Sequence, residues 1–157
     1  MKKVAKFGGS SLASAEQFKK VGEIIHADQD RKYIVPSAPG KRFADDTKVT
    51  DLLYACYHTA EDGEDIKLIL EEIRDRYQEI IDGLELDLSL EQEFAVIGKN
   101  IREHAGADYA ASRGEYLNGL VMAAYLGFTF IDAAEVIFFD ESGEFDADKT
   151  HKILSAR

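Results

Sequence analysis

The chain has 157 residues, 45% hydrophobic and 31% charged, with 19 Lys and Arg against 30 Asp and Glu and a formal net charge of −11. That balance belongs to a folded chain with one core, which excludes a disordered tail and a disulfide-built miniprotein. An acidic excess with no basic run excludes wrapping of nucleic acid or an anionic membrane, so any anionic small ligand needs a local site working against the global field.

The single cysteine, Cys56, cannot form an internal disulfide and fits a reducing compartment. Lys6 interrupts the start Met1-Lys2-Lys3-Val4-Ala5-Lys6, leaving no apolar leader, and no stretch reaches transmembrane length. The expected location is cytoplasmic.

In chain order, Lys3 to Phe7 alternates and stops at Gly8-Gly9, as a strand entering a tight turn does. Ser14 and Gln17 have the form of a capping box, and Phe18, Val21, Ile24 and Ile25 share a face, predicting a helix from about residue 14 to 27. Tyr33-Ile34-Val35 is a second strand, ending in Pro36-Ser37-Ala38-Pro39-Gly40. Strand, helix and strand make a βαβ unit whose strands lie parallel.

The middle of the chain reads as helical. Thr50 caps a predicted helix carrying Leu52, Leu53, Ala55, Cys56 and Ala60; Ile66 to Ile81 is a second, closed by Asp82-Gly83. Ser89 and Gln92 offer a capping box before Phe94, Ile97 and Ile101. A longer helix spans about 107 to 126, with Gly127 terminating it. Phe128 to Ile131 and Val136 to Phe139 are strand-like, Ser142-Gly143 reads as a hairpin turn, and Asp146 caps a last helix.

Three stretches carry chemistry. In Lys6-Phe7-Gly8-Gly9-Ser10-Ser11 a strand delivers a lysine into a Gly-Gly turn followed by hydroxyls and a helix start. Such a turn suits a phosphate, because bare backbone N–H groups and a helix N-terminus favour an anion; taken alone it reads first as a strand-ending turn beside a solvated lysine. Ser37-Ala38-Pro39-Gly40-Lys41 opens on the same edge, where ligands of open parallel sheets bind. The charged segment 41–48 after it reads as a mobile solvated loop or a lid.

Ser112-Arg113-Gly114-Glu115 is placed before or in the first turn of an apolar helix. Its glycine admits a close neighbour, and Glu115 either binds an ammonium group or complements the helix dipole. The remaining candidates carry less. His26, His58, His104 and His151 have no metal spacing, Cys56 falls on an apolar face, and Asp140 to Asp148 has its glycine misplaced for an EF-hand loop.

Together and in this order, these segments resemble the aspartate kinases, closest to the monofunctional bacterial type. Lys6 to Ser11 resembles the N-terminal signature, Ser37 to Lys41 with Thr47-Lys48-Val49-Thr50-Asp51-Leu52-Leu53 the second segment, and Ser112 to Glu115 the third. Ser10 stands where threonine is common, and Pro36 where an apolar strand residue is usual. The resemblance implies an α/β fold, the three-layer αβα sandwich of the amino-acid-kinase (carbamate-kinase-like) type, incomplete here, with a mainly parallel sheet and a helical middle section.

It further implies phosphorylation of the L-aspartate side-chain carboxylate by ATP with Mg2+ as co-substrate, the first step of lysine, threonine and methionine biosynthesis. On this resemblance Lys6 is catalytic; Lys6, Gly8, Gly9 and Ser10 bind the phosphates; Ser37, Thr50 and Glu115 bind aspartate; no residue is a metal ligand. Residues 1–157 correspond to the N-terminal portion of the catalytic domain, without the downstream Ser-Arg-Gly-Gly-Ser-Asp segment, the nucleotide-base half or regulatory ACT domains. The expectation is an inactive half-site that self-associates as a homo-oligomer. The alternatives are a kinase of the same fold acting on another amino acid or a nucleotide, and a non-catalytic phosphate-binding α/β module.

Overall fold

The computed structural model describes residues 1–156. Strand β1 (Lys3–Phe7) and strand β2 (Arg31–Pro36) pair in parallel, with Val4 beside Tyr33, Lys6 beside Val35 and Phe7 beside Pro36. Between them lie a 3₁₀ turn (Gly9–Leu12) and helix α1 (Ala15–His26), completing the expected βαβ unit. Ser14 starts α1 as predicted, its hydroxyl accepting the Gln17 N–H at 3.4 Å. Pro36 fits because the next N–H, that of Ser37, donates to Phe7 O at 2.9 Å. Alternation along the strand therefore puts the missing proline N–H on the side away from β1.

Helices α2 (Val49–Glu61), α3 (Lys67–Gly83), α4 (Glu91–Arg102) and α5 (Ala107–Leu126) form the helical middle, and α6 (Ala147–Leu154) follows. Helices α1 to α5 each lay an apolar stripe into one core: Phe18 and Val21 from α1, Leu53 and Cys56 from α2, Ile73 and Ile80 from α3, Ile97 from α4, Leu117 and Val121 from α5. Fully burying one such aliphatic side chain contributes about 1.5–3 kcal/mol, so this stripe register, more than helix propensity, holds the bundle. Gly127 ends α5 in the left-handed region at φ 66°, and the Asp146 carboxylate caps α6 through the Lys149 N–H, both as predicted.

One face of the β-pair is covered and the other is open. Phe7 and Ile34 pack against the core, while Val4, Tyr33 and Val35, with Lys6 among them, are 69%, 48% and 46% exposed for the three apolar residues.

Several local expectations are corrected. Phe128 to Ile131 and Val136 to Phe139 are not strands, because among the described residues no strand lies beside either. Phe130 instead sets its ring edge-on to Tyr116, centroids 5.6 Å apart. The turn at Ser142-Gly143 does form, with Phe139 bridged antiparallel to Phe145, Asp140 N–H donating to Glu144 O at 2.8 Å and Asp146 N–H to Phe138 O at 2.9 Å. Thr50 is not a cap: α2 begins one residue earlier, where buried Val49 donates its N–H to Pro39 O at 3.2 Å. Helix α4 starts after the buried Leu90, and the Ser89 hydroxyl accepts from Glu91 N–H, not from Gln92. Ser112 to Glu115 lie past the first turn of α5, too deep in the helix for Glu115 to serve the dipole at its N-terminus.

Candidate active site

The carboxyl ends of β1 and β2 bring two turns into contact. Gly40 donates its N–H to Gly9 O at 2.8 Å, and a methyl group on Gly40 would lie 2.6 Å from the Gly9 carbonyl carbon. On Gly9 it would come within 2.8 Å of Ala38 O. Only glycine fits at either position, so two backbones stack where side chains would otherwise separate them.

Helix α5 closes on this pair from the other side. Glu115 Oε1 accepts the Ala38 N–H at 3.4 Å, Asn118 Nδ2 donates to Ser37 O at 2.7 Å, and Gly114 lies against Ala38. The buried Tyr77 hydroxyl of α3 donates to Gly114 O at 2.7 Å and fixes that turn of α5. Burial pushes this phenol well above its ordinary value, with the Glu115 charge adding to the effect, so it remains a donor at neutral pH.

The predicted residues thus divide. Gly9 and Glu115 touch the Ser37–Gly40 turn directly, Ser37 is half-buried at its start, and Gly8 and Ser10 flank Gly9 on the exposed side. Thr50 sits in the first turn of α2, next to the Val49–Pro39 hydrogen bond that ties that helix to the turn. Lys6 extends from β1 on the open sheet face, and its ammonium has no partner among the described residues. A phosphate cradle needs a free cation of this kind. Among the described residues no group of three or more His, Cys, Asp and Glu is placed to hold a metal ion.

The segment 41–48 is exposed at every residue but Asp46, as expected of a solvated loop, yet that one buried side chain anchors it. Arg42 grips Asp46 through Nε at 2.9 Å and Nη2 at 3.0 Å and reaches Glu79 at 2.7 Å, while Arg76 lies 3.2 Å from the same aspartate. The hydrogen bonds from Arg42 hold the Asp46 carboxyl far below the usual carboxylate range despite its burial. Arg76, Asp46, Tyr77 and Asn118 escape a motif search. Arg76 and Asn118 leave one signal, a polar residue standing inside an apolar helical stripe (Ile73-Arg76-Tyr77-Ile80, Gly114-Asn118-Val121).

Comparison with known proteins decides the family: residues 1–157 match the sequence model of the amino acid kinase family. The chain belongs to that family. It is 38% identical over 140 residues to Aspartokinase 3 of Bacillus subtilis, covering 85% of this chain and 31% of that protein. It is 30% identical over 156 residues to a chloroplastic bifunctional aspartokinase/homoserine dehydrogenase of Arabidopsis thaliana, of which it covers 16%.

Among solved structures, the aspartate kinase of Clostridium acetobutylicum superposes with a TM-score of 0.94 at 51% identity, over 98% of this chain and 35% of that one. The E. coli aspartokinase III in complex with aspartate and ADP shares the fold, with a TM-score of 0.78 at 20% identity over all of this chain and 37% of that one. The amino acid kinase chain described here thus has the α/β fold of these enzymes, with two parallel strands, a mostly helical body and an incomplete sheet, and it spans about a third of their length.

Proposed function

We propose that residues 1–157 are the N-terminal portion of the catalytic domain of an aspartate kinase, which transfers the γ-phosphoryl of MgATP to the side-chain carboxylate of L-aspartate. The observation that supports this most is the meeting of the Gly9 turn, the Ser37–Gly40 turn and Glu115 at one strand edge, in a chain 51% identical to an aspartate kinase. In this reading a carboxylate oxygen attacks the γ-phosphorus and ADP leaves. The nucleophile is already ionised, so alignment and charge neutralisation do the catalysis and no general base is needed.

Lys6 neutralises charge on the transferred phosphoryl, and the backbone of Gly8, Gly9 and Ser10 donates to phosphate oxygens. Ser37 faces the reacting carboxylate, Thr50 holds the substrate, and the exposed Glu115 takes its α-ammonium. Mg2+ arrives with the nucleotide. The product, 4-phospho-L-aspartate, enters lysine, threonine and methionine synthesis. We place the protein in the cytoplasm, in keeping with a lone buried Cys56 and with no helix of the described residues long and apolar enough to cross a membrane.

The nucleotide-base pocket and the second half of the phosphate clamp belong to residues beyond this third of the enzyme, so these residues alone form a half-site. A hydroxylamine trap tests the reading: chain, MgATP and L-aspartate, with glutamate as control, scored for aspartyl hydroxamate. The expected result is no product from the chain alone and aspartate-dependent product when the downstream catalytic segment is supplied in trans. Full activity of the short chain would refute the half-site. Turnover with glutamate in preference to aspartate would move the chain to another kinase of the same fold, and ATP binding without turnover in either arrangement would make it a phosphate-binding module.

A further inference from the structure

Arg76 projects from the buried stripe of α3 and is 3% exposed, as Asp46 beside it is 6% exposed. One of its terminal nitrogens donates to Gly40 O at 2.8 Å. The other donates to Thr47 O at 2.9 Å and lies 3.2 Å from Asp46 Oδ2. Gly40 and Thr47 bracket the segment 41–46, so one guanidinium closes both of its ends. Just outside that closure, Pro39 O accepts the Val49 N–H at 3.2 Å, and Gly40 rests on Gly9.

The two tied ends are the two sides of the candidate aspartate site. Ser37 lies three residues before Gly40, and Thr50 three after Thr47. A buried ion pair between α3 and the loop would by itself say little about function, since its desolvation cost can cancel its attraction. The geometry says more, because the fork is directed at two backbone carbonyls and spans the gap between them. A lysine ammonium is a compact point charge and lacks that planar reach.

Resting on the aspartate-kinase reading, we propose that Arg76, held by Asp46, is a positioning residue that sets the Ser37–Gly40 turn against Thr50. The segment 41–46 is then a strap fixed to α3 at both ends, not a lid.

The test compares wild type, Arg76→Lys and Asp46→Asn by amide hydrogen exchange and by calorimetric titration with L-aspartate. Arg76→Lys keeps the charge, so a purely electrostatic role predicts wild-type behaviour. The clamp predicts faster exchange across 40–48 with α1 and α5 still protected, and L-aspartate affinity lower by about tenfold or more, because misplaced binding groups lose their alignment. A variant with a freed loop and wild-type affinity overturns the positioning role, as does Arg76→Lys with an undisturbed loop. A wild-type chain that takes up no L-aspartate overturns the substrate reading instead. The wild-type chain also supplies an arm that no folding defect can blur. L-aspartate should slow exchange at the 37–40 turn and at 47–50 together, and protection confined to one side would refute the coupling.

Discussion

A methyl group on Gly114 of α5 would lie 2.6 Å from the Cβ of Ala38, in the turn that follows β2. The two residues are 76 positions apart in sequence (114 − 38), and their contact sets how close the helix bearing Glu115 comes to the turn bearing Ser37. Gly114→Ala should therefore act on the site. Within the helix, alanine is favoured over glycine by about 1 kcal/mol. Against that stands overpacking of buried Ala38 and of Leu53, whose Cδ1 would be 3.3 Å away, at about 1–3 kcal/mol. The expected net result is destabilisation of about 1 kcal/mol by thermal unfolding. A larger proportional loss in L-aspartate binding should accompany it, as the turn is pushed off Glu115. A variant more stable than wild type with unchanged binding would show that the contact is slack.

Tyr77→Phe removes one hydroxyl from the same neighbourhood. Gly114 O keeps its place in the helix, so the loss should be that of a single buried hydrogen bond, about 0.5–1.5 kcal/mol at pH 7. The pH dependence is the sharper readout. The Tyr77 phenol is raised in the folded chain above its ordinary value of 10.0, chiefly by burial. Its neutral form is thus favoured by folding, and that contribution is complete below the unfolded value, then lost as pH rises above about 10. Chemical denaturation of wild type should weaken across that limb more steeply than denaturation of Tyr77→Phe. Parallel alkaline limbs would mean that the phenol titrates without cost and is not sealed in the core.

What could be read from the chain beforehand follows the range of each signal. The Ser14 cap, the left-handed Gly127 and the Asp146 cap are decided within four residues, so sequence alone reveals them. The βαβ unit and the two glycine turns are legible for the same reason. Phe128 to Ile131 has strand composition, but a strand is made by its neighbour, and here Phe130 packs on Tyr116 and over Gly119. The site was legible as three motifs, whereas its bracing was not. Arg76 and Asn118 act across 29 to 81 positions, and only their meeting with the loop in space gives them a role. Segment 41–48 is exposed except at Asp46, as its charges suggest, and what the sequence hides is the partner of Asp46 on α3.

Cys56 offers a check on the core itself. It is fully buried on α2, and burial pushes the thiol up to about 11, so at neutral pH almost no thiolate forms and none is reachable. The native chain should resist iodoacetamide at pH 7.5, and urea should release one equivalent of reactive thiol at the unfolding midpoint. Prompt labelling of the native chain would mean that the α2–α5 packing opens locally.

The open sheet face sets the last expectation. Val4, Tyr33 and Val35 form an apolar patch across both strands, and each strand has one edge with no strand beside it among the described residues. Such a surface associates when no other layer covers it, and the charges on it, Lys6 and the Lys2 ammonium over the Tyr33 ring, are too slight a deterrent. The chain should therefore self-associate, with its sedimentation coefficient rising with concentration. Val4→Lys with Val35→Lys places two further ammonium groups on that face and should return the chain to monomer, leaving helical content unchanged because neither side chain enters the core. Association that survives both lysines would assign it to another surface. A wild-type chain that sediments as a strict monomer at high concentration would show that the uncovered face is tolerated by water as it stands.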